Sequence, residues 1–157
     1  LVSTFGVMFA GRHEAAAAEL ARVVKKGGRA VLSTWKNDSN VFHMFGVMKA
    51  FMPPPPPGTP PPSPFEWGKY DRLHSLLGAN FELKFEEGTN HFRYASGEQA
   101  WALWANHYGP SKALAQGLDD ARRDEFRRAM ITWHETFKSE LGYDQPRQYV
   151  ITHATRK

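Results

Sequence analysis

The chemistry open to this chain is set first by what its side chains lack. It has no cysteine, which removes thiolate nucleophiles, disulfide frameworks, cysteine-ligated zinc and iron–sulfur clusters together. Its seven histidines are scattered, and His134-Glu135 lacks the second histidine that would set two imidazoles one helical turn apart on a zinc ion. No metal site is expected. No G-x-S-x-G elbow presents a serine, and no G-x-x-x-x-G-K-[ST] loop cradles a phosphate. No two glycines stand at i and i+2, so the dinucleotide fingerprint is missing as well. What remains is proton transfer by an isolated histidine, and binding by apolar and aromatic surface in a chain with 13% aromatic residues and 5 methionines.

Those side chains have to be positioned by one globular domain. At 157 residues a chain buries about two-thirds of its unfolded surface, so no disulfide or metal staple is needed. The net charge of +4 is spread thinly: residues 1–78 carry 9 basic and 5 acidic groups, and residues 79–157 carry 11 of each. Phosphate binding wants clustered Lys and Arg on one face, so no nucleic-acid partner is expected. Apolar runs are only a few residues long, and Leu1-Val2 is followed at once by Ser3-Thr4. Neither a membrane span nor a secretory signal is expected, and the expected compartment is the cytoplasm.

Leu1 to Phe9, LVSTFGVMF, reads as a buried strand running into a loop. It begins without an initiator Met or polar lead-in, which we read as an internal cut in a longer parent chain, with proteolysis or an incomplete gene model as the alternative. Ala17, Leu20 and Val24 give a helical stripe over 13–26, with Glu14 in the first turn, Lys25-Lys26 in the last and Gly27 at the left-handed C′ position. Arg29 to Trp35 follows as a near-continuous apolar strand, covered on both faces. Strand, helix, Gly-Gly, strand is a βαβ unit with parallel strands. Phe42, Phe45, Met48 and Met52 then recur at helical spacing over 40–52. The tract 53–64, which holds 9 of the 11 prolines, reads as stiff polyproline II. A short helix over 71–77 stops at Gly78, and 81–87 alternates as a half-buried strand that Gly88 breaks before 91–94 extends again. Ser96 with Gln99 opens a helix bearing Trp101, Trp104 and Tyr108, halted by Gly109-Pro110. A long helix over 119–141 turns Phe126, Met130, Trp133, Phe137 and Leu141 inward, and 149–155 alternates as a last strand.

The order of these elements, with STFGVMF leaving a strand, Glu19-Leu20 and Arg22-Val23 in an Ala-rich helix, Gly27-Gly28-Arg29, and a strand ending in Thr34-Trp35, resembles the second half of a class I S-adenosylmethionine-dependent methyltransferase. It is most similar to the ubiquinone/menaquinone-biosynthesis type, which acts on small molecules. Ser63-Pro64-Phe65, Trp67-Gly68 and Tyr94-Ala95-Ser96-Gly97 look like that family's substrate side, so the likeness covers essentially all residues. The sequence departs from it in carrying Lys26 where the family has proline before Gly-Gly. The family's first three strands, with the glycine-rich loop and the ribose-holding acidic residue, would lie before Leu1.

The resemblance implies an α/β fold: an incomplete Rossmann-like sheet with its last strand antiparallel, and a helical, Pro-rich substrate-side insertion. Residues 1–35 would be the βαβ unit, 36–68 the insertion with its proline loop, and 69–157 the C-terminal helices and strands of one domain lacking its N-terminal cofactor-binding half. It further implies that 149–155 pairs antiparallel beside 29–35, with 81–87 outside it. S-adenosylmethionine would be the cofactor and a small molecule the methyl acceptor. Ser3, Thr4, Phe5, Met8 and Phe9 would line the cofactor's sulfonium side, through carbonyls at Thr4 or Phe5 and the ring of Phe9; plain core packing is the other reading of Phe5, Met8 and Phe9. Phe42, Met52, Trp67, Trp104 and Tyr108 would wall the acceptor pocket, or else pack the insertion onto the sheet. His91 and His107 are the candidate general bases, though each reads first as an ordinary surface or hydrogen-bonded histidine. Alone, the chain is expected to be inactive and to self-associate through an apolar edge strand at 1–9. A non-catalytic module whose prolines dock an SH3- or WW-type groove is the competing reading.

Overall fold

The computed structural model describes residues 1–54, 57–58 and 60–157, so Pro55, Pro56 and Thr59 of the expected polyproline segment lie outside the described residues. The chain divides into two compact units, one of Leu1–Phe42, Pro56–Asn90 and Gln148–Lys157, the other of His43–Pro55 and His91–Arg147. Its strands are β1 (Val2–Thr4), β2 (Arg29–Trp35), β3 (Phe81–Tyr94), β4 (Lys138–Ser139) and β5 (Gly142–Arg156). Its α-helices are α1 (His13–Val23), α2 (Asn40–Lys49), α3 (Tyr70–Leu77), α4 (Gly97–His107), α5 (Gly109–Gly117) and α6 (Asp120–Glu135).

The strands form a sheet of order β1-β2-β5-β3; β1, β2 and the stretches Phe81–Asn90 and Gln148–Arg156 belong to the first unit, and β4 pairs with the start of β5 in the second. β1 runs parallel to β2, Val2 opposite Val31 and Thr4 opposite Ser33. β5 lies antiparallel to β2, from Arg29 opposite Thr155 to Trp35 opposite Tyr149. This is the expected mixed α/β sheet, with the last strand beside the second and the strand from Phe81 outside it. β2 has the expected bounds, yet only its Ala30, Leu32 and Thr34 face is buried; the other face is half-covered, so its apolar run overstates its burial. α1 turns His13, Ala17 and Leu20 into the core, followed by Val24. α3 adds Leu73 and Leu77, and the 3-10 turn Pro64–Gly68 adds Phe65 and Trp67.

Several expectations are corrected. The opening strand stops at Thr4, because Phe5 takes a left-handed φ of 52° and a 3-10 turn occupies Val7–Phe9. α1 ends at Val23 with Val24 as its C-cap, so Gly27, at φ 74°, sits in the following turn and donates its N–H to the Arg156 carbonyl. The buried stripe of α2 is Val41, Met44 and Met48, one residue out of phase with the expected Phe42 and Phe45. Gly88 does not break β3. It is glycine because a Cβ there would stand 2.8 Å from Cε2 of Tyr149, whose ring crosses it.

In the second unit α4 packs on α5 and α6. Ser96 caps α4 by accepting from the Gln99 N–H at 3.1 Å, and the Gln99 side chain accepts from the Ala95 N–H. Gly109-Pro110 does not end the helical region: the proline stands in the first turn of α5, where its missing N–H costs nothing. α6 ends at Glu135, burying Phe126, Met130 and His134, and Leu141 is fully exposed. β4 and the early start of β5 form a hairpin where the long helix was expected to continue. Among the described residues no helix is long and apolar enough to cross a membrane.

Candidate functional site

β1 and β2 point the same way, so their carboxyl ends open on one edge of the first unit, where ligands of open α/β sheets bind. Phe5 marks that edge. A left-handed backbone costs a residue with a Cβ about 1 to 2 kcal/mol, and such strain gathers at functional sites. Here it is held by the Phe5 N–H donating to the Ser33 carbonyl at 3.0 Å and by stacking of its ring on Trp35, centroids 3.9 Å apart. Tyr149 meets both rings edge-on, at 5.9 and 6.4 Å. Ser3 Oγ fixes the turn by accepting from the Val7 N–H at 2.9 Å. Of the five residues expected on the cofactor side, Ser3 and Phe5 are half-buried, Met8 lies in the core, and Thr4 and Phe9 are exposed.

Beyond the end of β2 an open cleft of about 380 Å³ is lined by Lys36, Asn37, Asp38, Gly68, Lys69, Tyr70 and Asp71. Gly68 brings the 3-10 turn against the chain leaving β2: a Cβ there would stand 2.8 Å from Lys36 Cα and closer still to the Trp35 carbonyl oxygen. The buried Thr34 hydroxyl, donating to the Trp67 carbonyl at 2.8 Å, ties the same two segments. Lys36 pairs with Glu87 at 2.9 Å, and the Tyr70 hydroxyl donates to the other Glu87 oxygen. The Tyr70 hydrogen bond, then Lys36, holds the Glu87 carboxyl below its ordinary range, while Glu87 raises both Lys36 and Tyr70. Lys36 and Glu87 thus give this rim paired charges of both signs. Phe42, 40% exposed, meets Phe65 edge-on, and Trp67 is fully buried against His13.

The second unit holds an apolar cavity of about 270 Å³ lined by Phe45, Met48, Met52, Pro53, Pro110, Ala113 and Leu114. Tyr108 lies 6.3 Å from Phe45 and 4.7 Å from Trp104, ring to ring. Burial pushes the Tyr108 phenol up to about 12, so it stays protonated. Of the expected acceptor wall, Met52, Trp104 and Tyr108 therefore belong to this unit, and Phe42 and Trp67 to the first. His107 is exposed in the last turn of α4. His91 is exposed on β3 with Nδ1 2.8 Å from Asp144. Trp35, Lys36, Tyr149 and the buried His134 were not singled out from sequence. The first two stand where a parallel strand ends, which was the available signal; His134 carried only the look of an unfinished zinc motif. Among the described residues no group of three or more His, Asp or Glu side chains is placed to hold a metal ion.

No protein-family profile matches the chain. Two uncharacterized proteins of Mycobacterium tuberculosis are similar to it, one 28% identical over 123 residues and the other 30% identical over 124. Each match covers 77% of this chain and 44% of the relative, so the chain spans less than half the length of the curated relatives it matches. Among solved structures, a protein of Bacillus halodurans described as a "putative methyltransferase" superposes with a TM-score of 0.50 at 13% identity, over 98% of this chain and 67% of that one. At that identity the likeness is one of fold, and it extends over both units. The sheet order, the antiparallel closing strand and this superposition agree: the fold of the chain is the class I methyltransferase fold.

Proposed function

We propose that the chain is part of an S-adenosylmethionine-dependent, class I methyltransferase acting on a small-molecule acceptor in the cytoplasm. The observation that carries this reading is the carboxyl edge of β1 and β2, where Phe5 is held left-handed and stacked on Trp35 beside a cleft with charges of both signs. When bound, S-adenosylmethionine supplies a methyl carbon attached to positive sulfur, so transfer needs alignment and dryness more than a nucleophilic side chain. The electron pair of the carbon–sulfur bond returns to sulfur as the acceptor's lone pair forms the new bond, and any acceptor proton leaves to a base or water. Aromatic faces near a sulfonium favour the cation. Asp38, on the cleft beyond β2, is suited to the ammonium of the cofactor's amino-acid end.

These 157 residues contain no glycine-rich phosphate-type loop, and the similar mycobacterial proteins are more than twice as long as the region they share. The chain by itself is therefore expected to bind the cofactor negligibly. Leu1 and Val2, 48% and 76% exposed, give β1 an apolar edge that pairs readily with a second copy. Labelled-methyl transfer by the isolated chain and by the chain joined to its upstream coding sequence tests both parts. Turnover by the chain alone overturns the need for more residues; failure of the longer protein to bind S-adenosylmethionine overturns the methyltransferase reading.

A further inference from the structure

The buried stripe of α2 is Val41, Met44 and Met48, which leaves two further apolar side chains of this segment without a place in it. They are Phe45, half-buried, and Met52, in the turn that follows, whose N–H donates to the Lys49 carbonyl at 3.3 Å. Together with Met48 and Pro53 they line one part of the apolar cavity of about 270 Å³, and Pro110, Ala113 and Leu114 line the rest. Those last three share one face of α5, at i, i+3 and i+4. All seven residues lie inside the second unit. Met48, 2% exposed, is the closed end of the cavity, and Met52, 53% exposed, stands at its open mouth.

Chemistry and size together fix what can fill this space. None of the seven lining side chains carries a charge or a hydrogen-bonding N–H or O–H. The buried Ser111 hydroxyl beside it already donates to the Met48 sulfur at 3.6 Å. A polar atom brought inside would therefore lose its water without gaining a partner. A stable protein interface engages about 20 to 30 residues a side, so seven lining residues are far too few for a second copy or a partner protein. The occupant is a small molecule. A cavity of about 150 Å³ holds one benzene ring, and one of about 270 Å³ has room for two fused rings. Among apolar molecules of that size the lining selects further, because the Met48 and Met52 thioethers and the Phe45 ring gain more from an aromatic ring than from a saturated one.

We propose that this cavity binds an uncharged aromatic molecule of two fused rings, held between the Met48 and Met52 sulfurs and the Phe45 ring, with any polar substituent directed out of the mouth beside Met52. The site goes beyond the methyltransferase reading and does not rest on it, since neither cofactor nor methyl transfer takes part.

Naphthalene titrated into the full chain, isotope-labelled at its methionine methyls, tests the site by nuclear magnetic resonance, because ring currents report which methyl touches the ring. Of the 5 methionines, Met8, Met44 and Met130 are core residues outside the cavity lining and serve as internal controls. Saturable shifts are expected at Met48 and Met52 and not at Met8 or Met130, with decalin, the saturated skeleton, binding at least about threefold more weakly. Ala113→Trp, at an exposed position of α5, should fill the space and lower naphthalene affinity at least about tenfold, a loss of about 1.4 kcal/mol. Leu103→Trp, at an exposed position of α4, should leave that affinity unchanged. Equal shifts at all the methionines, equal binding of decalin, or full affinity in Ala113→Trp overturns the proposal. So does a Met48 resonance that moves with protein concentration and not with naphthalene, which would make a second copy the occupant. If Ala113→Trp does not fold, the wild-type shift pattern and the decalin comparison still decide.

Discussion

Replacing Gly68 by alanine probes the contact that builds the charged cleft of the first unit. The new methyl would stand 2.8 Å from Lys36 Cα and 3.0 Å from Asn37 N, and nearer still to the Trp35 carbonyl oxygen. All three neighbours are main chain, so no side chain can swing away. The 3-10 turn has to lift off β2. Overpacking of this kind costs about 1 to 3 kcal/mol, and moving Trp67 stretches the buried Thr34 hydrogen bond, worth about 1 kcal/mol more. The expected loss is therefore about 2 to 4 kcal/mol in urea unfolding. Gly46→Ala is the control: it lies within α2, nothing stands within 4 Å of its Cβ position, and a gain of about 0.5 to 1 kcal/mol is expected from helix propensity. A Gly68→Ala loss below about 1 kcal/mol would refute the argument that main chain, and not a compliant side chain, fills this space.

The fully buried His134 titrates near 4 in the fold against an ordinary 6.5, so the unfolded chain binds its proton first as pH falls. Its contribution is complete above about pH 6.5 and is lost progressively down to about pH 4, in all about 3 kcal/mol at about 1.4 kcal/mol per pH unit. Unfolding at pH 7 and pH 4.5, roughly the two ends of that window, should differ less in His134→Phe than in the wild type; an unchanged difference would assign the effect elsewhere. Val2→Lys places a charge on the exposed edge of β1 and should reduce self-association in light scattering without lowering the melting temperature. Equal association in both proteins would clear this edge of the role.

Where local signals agreed, the fold could be read in advance. β2 is bounded by Gly27-Gly28 and a run of β-formers, and its limits match; the Ser96–Gln99 capping box opens α4 where it should. The misses are places where a residue type carries two meanings. Gly109-Pro110 reads as a stop, yet proline in a first turn equally starts a helix, and α5 follows. Gly88 reads as a break, while its real cause is a tyrosine sixty-one positions away, at Tyr149. The left-handed Phe5 has no sequence signal, since glycine or asparagine is what that conformation normally selects. His134 looks like half of a metal motif because its actual neighbours, Tyr94, Trp104 and Arg147, come from three other elements. The strand-end location of the first unit's cleft was legible from parallel order alone; the pairing of Lys36 with Glu87 was not.

The position of β5 between β2 and β3 has a consequence for how the protein is made. A ribosome emits β2 about a hundred residues before the first residue of β5, an interval on the order of ten seconds at ordinary elongation rates. One flank of β2 throughout that time, and one flank of β3 for about its second half, await the strand that will separate them, each with backbone donors and acceptors unmet. The two could zip together wrongly or recruit a neighbouring nascent chain. Final insertion of β5 is thus the committing step of biogenesis, and slowing translation ahead of Gly142 lengthens the window in which holdase chaperones are needed.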